Sequence, residues 1–385
     1  MAQTSDEPLM LEIEKAAGVY LYDTNGKQYI DLISGISVSN IGHCHPAVVA
    51  AINAQTKKYM YLMVYGEYVQ APQVQYAKLL TSQLPKNLEQ VYYCNSGAEA
   101  TEGAIKLARK FTERTEIMYF NGGYHGSTIG ALSVIGDEYF KTNYRPLPPG
   151  TRRLQFNCEG CLDYITNKTA GVIVEPVQGE PGIIAADKNW LIALRKKCTA
   201  VGALLIFDEI QSGFGRSGSL FAFQQYGVVP DVLNIAKGMG GGMPIAAFVS
   251  SKKIMATFKN NPFLGHITTF GGHPVCCAAA IASLKVLLND GLIEQVAEKA
   301  ALFAELLQHP NIKSINQKGL WMSLQFKDFE TNKAIIDNCI ENGIITDWFL
   351  FADDRLRIAP PLIITKKQIK TACATILNAI EKVTA

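Results

Sequence analysis

Leu204-Leu205-Ile206-Phe207-Asp208-Glu209-Ile210-Gln211 and, further on, Leu233-Asn234-Ile235-Ala236-Lys237-Gly238-Met239-Gly240-Gly241-Gly242 decide how this chain folds. Each begins as a short, largely apolar run, interrupted in the second only by Asn234, and stops at charge: Asp208-Glu209 in the first and Lys237 in the second. A run of that length without alternation suits a strand buried on both faces, and such strands belong to parallel sheets covered by helices. With these two, read as strands over Ala203–Asp208 and Val232–Ala236, three other runs read the same way: Val91–Cys94, Gly171–Glu175 and Ile245–Ser250. Helical spacing lies between them, in Ala104, Leu107, Ala108 and Phe111 and again in Leu191, Leu194, Arg195 and Cys198. Strands alternating with helices predict an α/β fold, a large domain with a mostly parallel sheet flanked by helices.

The pattern changes beyond about Leu284. Helical spacing over Val286–Leu307 is followed by short strands near Ile312–Phe326 and Leu356–Ile358, then by a C-terminal helix. Near the N-terminus, Val19–Asp23 and Gln28–Leu32 flank Asn25-Gly26, the signature of a hairpin. The expected organisation is a large domain over 41–283 and a smaller α+β domain built discontinuously from 1–40 and 284–385. A chain of 385 residues, 48% apolar and 18% charged, can bury such a core. Its formal charge of +2, with acids and bases interspersed, predicts neither nucleic acid nor an anionic membrane as a partner. The polar, acidic stretch Met1–Met10 has no signal-peptide pattern, and no apolar run is long enough to span a bilayer, so a cytoplasmic location is expected. Of nine cysteines, Cys44, Cys94, Cys276, Cys277, Cys339 and Cys373 read as reduced and buried. The lone Cys158-x-x-Cys161 lacks the second pair that a zinc site needs, and no metal is expected.

Four features carry chemistry. At Asn95-Ser96-Gly97-Ala98-Glu99 a strand gives way to a helix, whose first N–H groups and positive dipole end can hold a phosphate; Ser96 is also readable as a plain N-cap. Asp208 ends an apolar strand, at the sheet edge where ligands of open parallel sheets bind. A carboxylate there needs a cationic partner, unless it serves as an N-cap or structural Asp. Lys237 likewise ends a strand, where desolvation would free its amine as a nucleophile; the glycines after it leave room for a bulky group, and the plainer reading is a loop lysine at the surface. Thr268-Thr269-Phe270-Gly271-Gly272 offers hydroxyls for a phosphate, or simply a tight turn. Together they supply a Schiff-base amine, a carboxylate for a ring nitrogen and two phosphate-binding pieces, the set that pyridoxal 5'-phosphate (PLP) requires.

Taken with these, ordered motifs run along nearly the whole chain. They are Gly42-His43-Cys44-His45-Pro46, Asn95-Ser96-Gly97-Ala98-Glu99-Ala100, Gly123-Tyr124-His125-Gly126, Val174-Glu175-Pro176-Val177-Gln178-Gly179-Glu180, Phe207-Asp208-Glu209-Ile210-Gln211-Ser212-Gly213-Phe214-Gly215-Arg216, Thr268-Thr269-Phe270-Gly271-Gly272 and Arg357-Ile358-Ala359-Pro360-Pro361-Leu362, with the Lys237 segment among them. In these the sequence closely resembles the class III (subgroup II) aminotransferases of PLP fold type I, which include acetylornithine, ornithine and 4-aminobutyrate aminotransferases. The resemblance implies that Lys237 carries the cofactor and shuttles a proton, and that Asp208 pairs with the ring nitrogen. It implies that Gln211 bonds the phenolic oxygen, that Tyr124 stacks on the ring, and that Ser96, Gly97 and Ala98 hold the phosphate. It further implies a homodimer in which Thr269, with Thr268 beside it, completes the partner's phosphate site. Arg357 would take the α-carboxylate of an amino or oxo acid, and Glu180 would neutralise Arg357 when no such carboxylate is present; a structural salt bridge is the plainer reading of that pair. The implied activity is ping-pong transfer of an amino group from acetylornithine, ornithine or a similar donor to an oxo acid such as 2-oxoglutarate.

Two positions depart from the family. Ser127 follows Tyr124-His125-Gly126 where many relatives carry Arg, which leaves a 4-aminobutyrate-like or other ω-amino acid:pyruvate aminotransferase open; His273 follows the glycine pair where Asn is common. His43 and His45 belong to a family motif, so they do not signal a metal. Gly213-Phe214-Gly215-Arg216-Ser217-Gly218 fits the dinucleotide fingerprint of a nicotinamide dehydrogenase, but Asp208 and Glu209 stand where a pyrophosphate would lie. A PLP aminomutase, decarboxylase or racemase would share the fold, and the Arg357 and Glu180 pair favours transamination over these. A non-catalytic binding protein would have no use for Lys237, Asp208, Gln211 and Tyr124 together.

Overall fold

The computed structural model describes residues 2–5, 8–64 and 66–384. Met1, Asp6 and Glu7, part of the polar N-terminal stretch, lie outside the described residues. The centre of the fold is a seven-stranded sheet with the spatial order Gln90–Cys94, Ala246–Ser250, Val232–Ile235, Leu204–Asp208, Thr169–Val174, Glu116–Phe120, Thr151–Leu154. Only Ala246–Ser250 runs antiparallel to its neighbours; the other pairings are parallel. All five strands expected from apolar runs are present. Glu116–Phe120 and Thr151–Leu154 were not among them. The latter is the edge strand Thr-Arg-Arg-Leu with both arginines exposed, so no apolar run betrays it.

Register explains why distant charged residues meet. Asp208 pairs with Asn234, so the Leu204–Asp208 and Val232–Ile235 strands end side by side. Ile235 pairs with Ala247, and Ala246 with Cys94. The ends that precede Ser96, Glu209 and Lys237 therefore lie along one edge of the sheet, where an α/β fold binds its ligands.

Helices cover both faces. Gly97–Thr112 buries Ala100, Ala104, Leu107 and Ala108. Gly103 lets it approach the sheet closely, since a Cβ there would lie 2.2 Å from the Phe248 ring. Lys188–Val201 is capped by Asp187, buries Trp190, Leu191, Leu194 and Cys198, and ends at Gly202 in the left-handed region (φ 71°).

The remaining strands form smaller sheets. The Tyr20–Asp23/Gln28–Asp31 hairpin is closed by Asp23, whose Oδ1 accepts from Asn25 N and Lys27 N. Ile30 and Asp31 pair in parallel with Ile344 and Ile345, joining the N-terminal hairpin to the C-terminal segment. A four-stranded antiparallel sheet runs in the order Ser314–Gln317, Met322–Gln325, Ala352–Ile358, Trp348–Phe349, with helix Phe329–Glu341 packed on it and helix Lys366–Thr384 packed on that helix. The helix Pro274–Asn289 passes continuously through residue 284. Cys94, Cys276, Cys277, Cys339 and Cys373 are buried, and all nine thiols are free. Cys44 corrects the expectation: it is exposed, in a left-handed turn (φ 49°) just before the Pro46–Thr56 helix.

Candidate active site

A cavity of about 510 Å³ opens at the sheet edge, lined by Ser96, Gly97, Ala98, Tyr124, His125, Ser127, Glu175, Asp208, Gln211 and Lys237, among others. Ser96 caps its helix by accepting from Glu99 N at 3.2 Å, as the plain N-cap reading of that serine expects. The cap leaves the first N–H groups of the helix, on Gly97 and Ala98, without an intrahelical acceptor at the cavity wall. Asp208 is buried; its Oδ2 accepts from His125 Nδ1 at 2.7 Å and its Oδ1 from Ile210 N at 3.0 Å. Glu175 accepts from Tyr124 N at 3.0 Å, and burial together with the Asp208 charge pushes its carboxyl well above the usual range.

Lys237 follows its strand in a left-handed conformation (φ 48°). Its amine makes no hydrogen bond or ion pair among the described residues, and burial lowers it below the ordinary lysine value. The glycines after it do less to make room than expected. A Cβ on Gly238 would press on Asn40 and Phe214, and one on Gly240 on Ile245; only Gly242 lines the cavity and faces open space.

A second cavity, of about 570 Å³, shares Lys237 and Tyr124 with the first and contains Glu180, Asp347, Trp348, Leu350 and Arg357. Arg357 is 3% exposed, with Nη2 3.1 Å from Glu180 Oε2 and 3.0 Å from the Trp348 carbonyl oxygen. Its guanidinium lies 4.5 Å over the Phe349 ring. Glu180 Oε2 also accepts from Leu350 N at 3.0 Å. The pair expected from sequence is thus formed, in a cavity that Lys237 also lines.

Of the other expected residues, Ser127 stands at the rim of the first cavity, whereas Thr268 and Thr269 lie outside both. Ser127 is exposed and shares a hydrogen bond of 3.2 Å with Tyr124 OH. Thr269 is exposed and outside both cavities, its carbonyl accepting from Tyr61 OH at 2.9 Å, while Thr268 Oγ1 accepts from Asn95 Nδ2 at 3.1 Å. Gly271 and Gly272 pack on Tyr93, which explains them as close-approach glycines. The Gly213–Gly218 segment makes consecutive turns rather than a strand-to-helix phosphate loop. Its Arg216 is fully buried, donating to the carbonyls of Leu320 and Pro360 and to Asn40 Oδ1, each at 2.7 Å. His43 bonds Asp31 and His45 caps a helix, so both are structural. Sequence reasoning assigned no role to His125, Glu175 or Asp347, all of which face these cavities.

The site suits PLP on its own geometry. Gln211 Nε2 is a buried donor without a partner, as a phenolic oxygen would require. A free amine, a fixed carboxylate and open helix N–H groups line the same cavity.

Comparison with known proteins agrees. Residues 1–380 match the family model for class-III aminotransferases. The acetylornithine aminotransferase of Methanopyrus kandleri is 37% identical, over 94% of this chain and 92% of the relative. The ornithine aminotransferase structure from Toxoplasma gondii superposes with a TM-score of 0.91 at 28% identity, covering 98% of this chain and 92% of that one. An amine transaminase from an uncultivated Pseudomonas species, solved in a PLP-bound form, superposes at 0.91 and 26%, covering 100% of this chain and 98% of that one. With the family model spanning almost all of its length, the chain belongs to the class III aminotransferases, PLP-dependent transaminases of fold type I.

Proposed function

We propose that this aminotransferase works by ping-pong transfer, taking the amino group of acetylornithine or ornithine and passing it to an oxo acid such as 2-oxoglutarate. The observation that carries this reading is Lys237 at the junction of two cavities, one fitted to the cofactor and the other holding Arg357 and Glu180. The donor is suggested by the acetylornithine aminotransferase similar over 94% of this chain.

When bound, PLP supplies an electron sink for the pair left as the substrate Cα loses its proton. Lys237 would hold the group covalently; once freed by the substrate amine, its lowered basicity suits it to take the Cα proton and return it. Asp208, held by His125 and Ile210 N, would keep the ring nitrogen charged. Gln211 would donate to the phenolic oxygen, Tyr124 would cover one ring face, and Ser96, Gly97 and Ala98 would bind the phosphate. Arg357 would bind the α-carboxylate in a fork of N–H groups, with Glu180 moving aside.

Ser127 favours a second reading. A hydroxyl that bonds Tyr124 cannot supply the guanidinium for a distal carboxylate, so an ω-amino donor with pyruvate as acceptor competes with acetylornithine. Donors added singly to the holoenzyme, without an oxo acid, separate the two. Rapid conversion of the cofactor to its pyridoxamine form by acetylornithine or ornithine is expected; conversion by 4-aminobutyrate or alanine alone would replace the first reading with the second.

The assembly we infer is a homodimer. Met60, Tyr61, Leu62, Phe263, Leu264 and Phe270 are exposed, more apolar surface than scattered side chains explain. Tyr61 contacts Phe270 at 5.2 Å beside Thr269, which could then reach a partner's phosphate site. The proposed domain division is 41–283 against 1–40 with 284–385, supported by the pairing of Ile30 with Ile344. No helix among the described residues is long and apolar enough to cross a membrane. Nine free thiols support a reducing compartment, the cytoplasm.

A further inference from the structure

Arg357 faces a second carboxylate besides Glu180. Its Nε lies 3.1 Å from Asp347 Oδ1. The sheet fixes this approach, because Arg357 N donates to the Asp347 carbonyl at 2.9 Å. Neither Arg357 Nε nor Asp347 Oδ1 has a hydrogen-bond partner, so the two atoms are close without being aligned. Asp347 therefore acts on the guanidinium through charge, with little geometric hold on it. Its side chain is 27% exposed and lines the second cavity, where an incoming carboxylate would meet it.

We propose that Asp347 sets the specificity of the carboxylate subsite: it competes with a substrate's α-carboxylate for Arg357, and tight binding of that carboxylate requires Asp347 to take up a proton. This rests on the functional reading above, in which Arg357 is the carboxylate anchor. Glu180 can yield its place on the Nη atoms by leaving. Asp347 sits on the Nε side, on a short segment pinned to the strand of Arg357, and stays. With the substrate docked, one guanidinium would face two carboxylates in a poorly solvated cavity, and the extra charge is costly.

The groups that face Asp347 point the same way. Burial is the largest influence and raises the Asp347 carboxyl, Arg357 opposes it, and Glu180 and Asp31 add negative potential; together they push it up to about 6. Lys237 faces the same cavity. Below that pH Asp347 is neutral and leaves the fork to the substrate; above it, the carboxylate must displace charge or recruit a proton. Affinity should therefore fall as pH rises. If only the protonated form binds, the loss approaches tenfold per pH unit and about 50-fold between pH 6 and pH 8. An amine without a carboxylate escapes this penalty, so Asp347 biases the enzyme toward such donors at alkaline pH.

The test is calorimetric binding of glutarate, an unreactive dicarboxylate, to the PLP-loaded enzyme at pH 6, 7 and 8, in two buffers of different ionisation enthalpy. For the parent enzyme we expect affinity to fall by up to about 50-fold across this range, with net proton uptake. Asp347→Asn should bind more than tenfold tighter than the parent at pH 8 and take up about one proton fewer. Equal or weaker binding by Asp347→Asn, or an unchanged proton count, overturns the proposal. Arg357→Ala separates the two layers. Loss of glutarate binding there keeps the carboxylate anchor in place whatever Asp347→Asn does, whereas binding at the parent level would remove the anchor and this inference together.

Discussion

Arg357→Ala should separate substrates by the presence of an α-carboxylate. The guanidinium is 3% exposed and donates to Glu180 and to the Trp348 carbonyl. A docked carboxylate would exchange the Glu180 bonds for a pair of its own, each charge-assisted bond being worth about 1.5–3 kcal/mol. Losing both removes roughly 3–6 kcal/mol, or about a hundred- to ten-thousand-fold in kcat/KM at ~1.4 kcal/mol per decade. The same change leaves Glu180 and Asp347 without their cation. Breaking a buried pair costs about 3–5 kcal/mol, and the lower end applies because Asp347 retains 27% exposure. A carboxylate-free amine such as benzylamine shares this indirect damage but not the lost bonds, and should lose less than about tenfold. The assay is the single-turnover half-reaction followed by cofactor absorbance, with glutamate or alanine against benzylamine, at equal cofactor occupancy. Thermal unfolding measured alongside should show a lowered midpoint. Equal losses for both classes would refute selective carboxylate binding by Arg357.

Other substitutions probe the cofactor side and the assembly. Asp208→Asn should retain part of the cofactor yet slow the half-reaction by about a hundredfold or more, because the ring nitrogen loses its buried ionic partner; an undiminished single-turnover rate would exclude that role. Thr269→Ala should weaken PLP retention by about tenfold, the worth of one charge-assisted hydrogen bond, in a protein that still sediments as a dimer. A monomeric parent protein with full PLP retention would show that Thr269 serves no partner site.

The residues most legible in the sequence were those at the ends of short, largely apolar runs. Asp208 and Lys237 stand out because a charge closing a buried strand must be matched by something, and parallel register then brings neighbouring strand ends together. The strand Thr151–Leu154 escaped notice because an edge strand needs no apolar alternation and its two arginines look out to solvent. His125, Glu175 and Asp347 were missed for another reason: their roles depend on contacts across the fold. His125 meets Asp208 from 83 residues away, and nothing local to either residue announces the pair. Asp347 faces Arg357 only because a hairpin places its carbonyl on the Arg357 amide. Local glycine chemistry was partly misleading: Gly238 and Gly240 stand where backbone packs tightly, and Gly242 alone opens on the cavity.

The central claim is that Lys237 carries the cofactor. Borohydride reduction of the PLP-loaded protein, followed by peptide mass spectrometry, tests it most directly. The account predicts a phosphopyridoxyl group on the peptide bearing Lys237, and no stable label in Lys237→Ala. Labelling confined to another lysine, such as the buried Lys141 or Lys299, or no label on the parent protein after incubation with PLP, would contradict it.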